Sequence, residues 1–155
     1  MQLYYAPPYE AGGIEKSAVV LADYAKTGEL QPGEKEEVTL SVKARDMASY
    51  DFNDSNQNGF AGYELDPGTY VLSLRKTAHE TADIPNAQIS LKLAENIQYP
   101  TDEITGAVVS NKMTGKDAVD GVGIDGSDSG QKISYMSRSD FDTTFPKEPV
   151  KTRKL

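Results

Sequence analysis

The clearest pattern in the chain is an alternation of apolar and polar residues that begins directly after a Pro-Gly pair. Behind Pro67 and Gly68, the side chains of Tyr70, Leu72 and Leu74 point to one side of an extended segment and the residues between them point to the other. A period of two residues is typical of a half-buried β-strand. Proline presets φ at the first corner of a turn and glycine accepts a positive φ, so a type II turn is expected to reverse the chain here.

Similar alternation predicts further strands. Residues 38–42 alternate after a second Pro-Gly turn at Pro32 and Gly33, and residues 87–93 alternate as well. Residues 2–5 and 97–99 are β-prone, whereas residues 17–25 are ambiguous between helix and strand, with β-branched and aromatic side chains favouring the strand. The sequence therefore predicts an all-β protein.

Leu65, Pro67, Gly68 and Tyr70 form a local unit with two interpretations. A leucine, a Pro-Gly turn and a tyrosine that enters a strand resemble the tyrosine corner of immunoglobulin-like sandwiches, in which the phenol bonds back to the turn backbone. The alternative is a simple hairpin turn followed by a core tyrosine. Both interpretations place Tyr70 in a buried strand.

Composition excludes several classes of function. The chain has 155 residues and no cysteine, which removes disulfides and thiolate metal sites. No apolar stretch approaches the roughly 20 residues of a membrane span, so no membrane association is expected. The N-terminus lacks the pattern of a signal peptide, and the sequence does not determine the cellular compartment of the protein. The net charge of the chain is −8. Residues 147–155 carry a net charge of +3, so the net charge of residues 1–146 is −8 − 3 = −11. This acidity argues against nucleic-acid binding.

Six motifs follow one another in the first half of the chain and carry a resemblance to a known family. They are Leu3-Tyr4-Tyr5-Ala6-Pro7-Pro8-Tyr9, Gly12-Gly13-Ile14-Glu15-Lys16, Leu21-Ala22-Asp23-Tyr24-Ala25-Lys26-Thr27, Leu30-Gln31-Pro32-Gly33-Glu34, Asp46-Met47-Ala48-Ser49-Tyr50-Asp51 and Gly62-Tyr63-Glu64-Leu65-Asp66-Pro67-Gly68-Thr69-Tyr70. Together they resemble the fibronectin type III-like domain of glycoside hydrolase family 3, which contains β-glucosidases and β-xylosidases. The resemblance covers residues 2–79.

The resemblance implies an immunoglobulin-like sandwich of the fibronectin type III-like kind that lacks its first strands and has an extended C-terminal tail. We predict a fibronectin type III-like domain over residues 1–80, accessory strands over 81–113 and a flexible connector over 114–155. In the family the catalytic carboxylates lie on other domains. The resemblance therefore implies a non-catalytic module that packs against the catalytic domains of a parent glycosidase, and the sugar specificity of that parent resides outside this chain.

No catalytic constellation can be singled out from the residues. His79 is the only histidine and is interpreted as an exposed loop residue. Ser139-Asp140-Phe141 superficially resembles the nucleophile motif of the family, but the preceding residues are polar and would not seat a buried carboxylate. We therefore expect no catalytic residue, no cofactor and no enzyme activity from this chain alone.

Asp54, Asn56 and Asn58 alternate before Gly59 and reproduce the first half of an EF-hand calcium loop. The second half fails, because the bidentate carboxylate should stand at Leu65 and Glu64 is one residue early. A tight turn uses the same residue types, so a calcium site and a bare turn both remain open, with no metal as the leading interpretation.

Exposed aromatic faces stack on sugars, so a carbohydrate-binding module is the alternative function. Tyr5, Tyr24 and Tyr70 are expected in the core, which leaves Tyr9 and Tyr63 as the candidate sugar contacts. The truncated sandwich also predicts an exposed sheet edge, through which the chain could associate with a second copy.

Overall fold

The computed structural model describes residues 1–52, 54–109 and 136–144. The chain divides into two compact units, residues 1–112 and residues 113–155. The described part of the second unit holds a 3₁₀ turn at Arg138–Asp140 and a one-turn helix, α1, at Phe141–Thr144. The other predictions for the connector, at residues 114–135 and 145–155, lie outside the described residues.

The first unit holds two antiparallel sheets, which we name sheet A and sheet B. Sheet A has the order β2-β1-β5-β6, with bounds Gln2–Ala6 for β1, Val20–Tyr24 for β2, Gly68–Arg75 for β5 and Gln88–Leu93 for β6. Sheet B has the order β3-β4-β7, with bounds Ser49–Asp51 for β3, Gly62–Leu65 for β4 and Ile97–Tyr99 for β7. The two sheets confirm the predicted all-β class, and residues 20–24 form a strand and not a helix.

The sheets continue across the predicted boundary at residue 80. Strand β6 pairs with β5 from Gly68↔Leu93 to Ser73↔Gln88, and β7 pairs with β4. Residues 1–112 form one compact unit, so the strands between residues 81 and 112 belong to the same body as the earlier ones.

The Pro67-Gly68 pair is a corner between the two sheets and not the turn of a hairpin. Strand β4 belongs to sheet B and ends at Leu65, whereas β5 belongs to sheet A and begins at Gly68. Gly68 has φ +139°, so the predicted positive φ is present, but this value is far from the roughly +80° of a type II turn. The prediction of a type II reversal is therefore wrong, because the chain changes sheets here.

The Tyr70 hydroxyl donates a hydrogen bond of 3.2 Å to the backbone oxygen of Asp66. This bond is the one that the tyrosine-corner interpretation requires. Tyr70 is 2% exposed and Leu65 is 3% exposed, and both belong to the core cluster together with Tyr5 and Met47. The corner thus joins the two sheets and closes one end of the core.

Two sequence predictions about the core are wrong. Tyr24 lies at the end of the edge strand β2 and is 64% exposed, so it does not face the core. Residues 38–42 were expected to form a strand, but the structure records none there. Val38, Leu40 and Val42 are nevertheless less exposed than the residues between them, as the alternation predicts. The segment is not a strand because its backbone forms no hydrogen bonds with the backbone of another described segment.

Candidate functional site

Two carboxylates lie buried beneath the loop that joins β3 to β4. Asp51 and Glu64 are each 1% exposed. Asp51 accepts hydrogen bonds from the backbone N–H of Ser55 at 2.6 Å and from its hydroxyl at 3.1 Å. A buried carboxylate is costly unless it accepts hydrogen bonds. The two bonds from Ser55 satisfy Asp51 and thereby hold the start of the loop against the sheet.

The asparagines of the loop bind Glu64. The side-chain amide of Asn56 donates to Oε1 of Glu64 at 2.8 Å, and that of Asn58 donates to Oε2 at 2.6 Å. The Asn56 amide also donates to Asp66 Oδ1 at 3.0 Å, which links the loop to the corner. Sequence analysis considered Glu64 only as a carboxylate that stands one residue too early for a calcium loop, and it did not predict that the asparagines donate to this buried side chain.

Asp54 organises the tip of the same loop. Its carboxylate accepts from the backbone N–H groups of Asn58 at 2.8 Å and of Gly59 at 3.1 Å. Asp54 has φ +49° and Gly59 has φ +82°, which are backbone conformations that tight turns use. The structure therefore brings all three calcium candidates into one loop, where the two asparagine amides present hydrogens to Glu64.

Within the described residues, no group of three or more histidines and carboxylates is placed to hold a metal ion. The calcium interpretation of Asp54, Asn56 and Asn58 stays a prediction. In the same part of the chain, no helix is long and apolar enough to cross a membrane.

Lys16 forms a second buried polar contact next to this loop. Its side chain is 4% exposed, pairs with the Asp66 carboxylate and donates to the Pro8 oxygen at 3.1 Å. Lys16 thus ties the loop of residues 7–19 to the corner between the sheets. The added Cβ of an alanine at Gly68 would lie 2.7 Å from Pro8 Cβ, so this loop packs directly on the corner.

A cavity of about 630 Å³ opens between the two loops. Tyr9, Lys16, Asn56, Asn58, Asp66 and Asn96 are among its lining residues. The Tyr9 hydroxyl donates to Glu15 at 2.9 Å. Polar amides, a carboxylate and an aromatic ring are a combination that can hydrogen-bond and stack on a sugar.

The structure separates the two candidate sugar contacts. Tyr63 lies on sheet B, is 45% exposed and packs against Tyr50 with ring centroids 4.9 Å apart. It does not line the cavity that Tyr9 lines. His79 is exposed, as predicted for a loop residue, and Asp140 is exposed as well.

The comparisons with known proteins agree with this architecture. A family model described as "Fibronectin type III-like domain" matches residues 1–78. Beta-glucosidase A of Butyrivibrio fibrisolvens is 42% identical over 81 residues, which are 52% of this chain and 9% of that protein. The chain therefore covers only a small part of the length of this relative. No solved structure matches the chain.

Proposed function

Because this chain belongs to the fibronectin type III-like domain family, we propose that it is a non-catalytic module of a β-glucosidase-like glycosidase, where it packs against the catalytic domains and fixes their position. The observation that carries the proposal is the 42% identity to a segment that makes up 9% of a β-glucosidase. The buried polar contacts of Asp51, Glu64 and Lys16 support the proposal, because they fasten two loops to the sheets and so favour one fixed shape for such a module.

The buried carboxylates support a structural and not a catalytic role. A retaining glycosidase needs two carboxyl groups about 5–5.5 Å apart on either side of the sugar bond. Asp51 and Glu64 are each 1% exposed, so a sugar cannot reach them, and their oxygens accept from Ser55, Asn56 and Asn58. The chain alone should not hydrolyse a chromogenic aryl β-glucoside.

A chimera tests the positioning role. The 81-residue segment of the Butyrivibrio enzyme that matches this chain is replaced by the corresponding residues of this chain, and a second version carries a Gly/Ser linker of equal length. We expect the chimera to keep aryl-glucosidase activity within a few-fold of the unmodified enzyme and to keep its melting temperature, while the linker version loses thermal stability. A chimera no more stable or active than the linker version contradicts the proposal.

The cavity beside Tyr9 favours carbohydrate binding as a second candidate function. It would place an aromatic ring next to the Asn56 and Asn58 amides. Isothermal titration with cello- and xylo-oligosaccharides tests this, with Tyr9→Ala expected to abolish the heat and Tyr63→Ala, outside the cavity, expected to leave it unchanged. Absence of heat at millimolar oligosaccharide rejects the second candidate.

A further inference from the structure

The loop between β3 and β4 contains a dipeptide of known chemical reactivity. Asn58 is followed by Gly59, and it is the only one of the six asparagines in the chain that precedes a glycine. In a flexible chain, the backbone nitrogen after an asparagine attacks the side-chain carbonyl carbon and closes a five-membered ring. Glycine favours this attack, because it has no Cβ and its backbone is free to adopt unusual conformations. Both residues are exposed, so water reaches them.

The reaction needs only water. The Gly59 nitrogen gives its proton to a solvent base and bonds to Cγ of Asn58, while the Cγ–Nδ2 bond breaks and Nδ2 leaves as ammonia with a proton from water. A water molecule then opens the ring at either of its two carbonyl carbons. The product has an aspartate at position 58, or an isoaspartate whose main chain runs through the former side chain. Overall, one water is consumed, one ammonia is released and one negative charge is gained.

In the folded loop, the three reacting groups are held by other partners. The Asn58 amide nitrogen donates to Glu64 Oε2 at 2.6 Å, and Asn58 Oδ1 accepts from the backbone N–H of Phe60 at 2.9 Å. The Gly59 N–H donates to both oxygens of Asp54, at 3.1 Å each. Ring closure has to break these bonds, because Cγ of Asn58 must turn towards the Gly59 nitrogen and Nδ2 must leave Glu64.

The two carboxylates oppose the reaction in different ways. Loss of the Gly59 proton would leave a negative charge against Asp54, and a nearby like charge disfavours the charged form of a group. Glu64 is 1% exposed, so a conformation that removes its Asn58 donor leaves a buried oxygen with an unmade hydrogen bond. The closed loop therefore disfavours both the first step and the geometry of attack.

We propose that Asn58 is a deamidation site that the closed loop protects, so that it reacts only from conformations in which the loop has opened, and that the product then keeps the loop open. The new carboxylate at position 58 repels Glu64 and lacks the hydrogens that the asparagine supplied. An isoaspartate also lengthens the main chain shortly before β4 begins at Gly62. Because ammonia departs, the modified fraction records how often the loop has opened.

A comparison of the folded and unfolded chain tests the protection. The full chain is incubated at mildly alkaline pH in buffer and in guanidinium chloride, and both the released ammonia and the mass of the tryptic peptide of residues 46–75 are followed. We expect the folded chain to react about a hundredfold more slowly, because three hydrogen bonds must break first. The two Asp-Gly pairs, at positions 120 and 125, form a similar ring without releasing ammonia, so they do not interfere.

Variants separate the loop contacts from the reactivity of the dipeptide. Glu64→Gln removes the acceptor of the Asn58 amide and should speed deamidation of the folded chain by about tenfold, whereas Glu37→Gln, at an exposed residue outside the loop, should leave the rate unchanged. Should Glu64→Gln fail to fold, Asn56→Ala loosens the loop at an exposed residue that takes no part in the reaction, and it should also speed the reaction. Asn58→Gln gives the background rate in guanidinium chloride.

The modified chain tests the second half of the proposal. Its extra negative charge allows separation by anion exchange, and we expect it to unfold at lower denaturant and to exchange the Gly59 and Phe60 amide hydrogens faster than the unmodified chain. A folded chain that reacts within about threefold of the unfolded rate overturns the protection, and so does an equal effect of Glu64→Gln and Glu37→Gln. No reaction at position 58 in guanidinium chloride rejects the site, and unchanged stability of the modified chain overturns the open-loop product.

Discussion

The hydroxyl of Tyr70 bonds to the backbone oxygen of Asp66, four residues earlier and on the other side of the corner between the sheets. The ring of Tyr70 thereby packs in the core, while its hydroxyl group supplies a hydrogen-bond donor to a backbone oxygen that lies between the two strands. Asp66 also pairs with Lys16 and accepts from Asn56, so one residue links the corner, the loop of residues 7–19 and the loop above Glu64.

Removal of the Tyr70 hydroxyl should weaken the corner. We expect Tyr70→Phe to lower the free energy of unfolding by about 1 kcal/mol, because the ring still fills the core but the Asp66 oxygen loses its donor. Denaturant unfolding measures the change. Tyr24→Phe is the matched control, since Tyr24 is 64% exposed, and it should have no measurable effect. Equal effects of the two substitutions would contradict the role of the corner bond.

The stability of the protein should fall at alkaline pH. Burial, assisted by the charge of Asp66, raises the pKa of Tyr70 from its ordinary value of 10.0 to about 12. Burial and the charge of Asp46 also raise the pKa of Tyr5. The stabilisation that these raised pKa values provide is fully present below pH 10, where both states hold the proton, and is lost as the pH rises from 10 towards 12.

Unfolding experiments at pH 8 to about 12 check this pH dependence. Tyr70→Phe should make the decline shallower, because one of the two protons retained in the folded state is no longer present. Phenolate absorbance should show some of the nine tyrosines ionising only together with unfolding. Ionisation of all nine in one step near pH 10, with the fold intact, would contradict the expectation.

The amides above Glu64 predict a compensating pair of substitutions. Glu64→Gln should cost about 1–3 kcal/mol, because the new amide hydrogens face the amide of Asn56 or Asn58. Asn58→Asp should also destabilise, since it places a second carboxylate against Glu64. The double variant restores one donor and one acceptor, so it should be more stable than the sum of the single costs indicates.

Denaturant unfolding of the four proteins in this cycle measures the coupling between positions 58 and 64. Glu37→Gln, on an exposed part of the chain, is the control and should stay within about 0.5 kcal/mol of the native protein. Simple additivity of the two single substitutions would show that the Asn58 amide does not support Glu64.

The two Pro-Gly pairs should respond differently to alanine. At Gly68, φ is +139° and an added Cβ would lie 2.7 Å from Pro8 Cβ, so Gly68→Ala combines backbone strain with a clash. We expect a cost of about 2–4 kcal/mol. At Gly33, φ is +89° but no atom lies within 4 Å of an added Cβ, so Gly33→Ala should cost only about 1–2 kcal/mol.

Thermal unfolding of both alanine variants tests the difference between a corner and a surface turn. Gly33 sits in a turn closed by a bond of 2.9 Å from Glu34 N–H to the Gln31 oxygen, with nothing packed against it. If Gly33→Ala proved as damaging as Gly68→Ala, the contact between the corner and Pro8 would have no energetic importance.

Local patterns in the sequence were sufficient to predict the class of the fold and several of its strands. Alternation identified β5 and β6, and Leu65, Pro67, Gly68 and Tyr70 pointed to the corner, because side-chain period and proline and glycine geometry are properties of neighbouring residues. The motif series identified the family over the first half of the chain. The exposed position of His79 followed from its polar neighbours.

Only the tertiary structure decided which residues meet across the chain. The side-chain amides of Asn56 and Asn58 meet Glu64 only because the loop folds onto β4, and the spacing of these residues in the sequence did not predict this contact. Residues 38–42 had the correct period for a strand, but a strand also needs a hydrogen-bonding partner. The alternation of apolar and polar residues can be read from neighbouring positions in the sequence. Whether a second strand lies beside the segment depends on how distant parts of the chain fold.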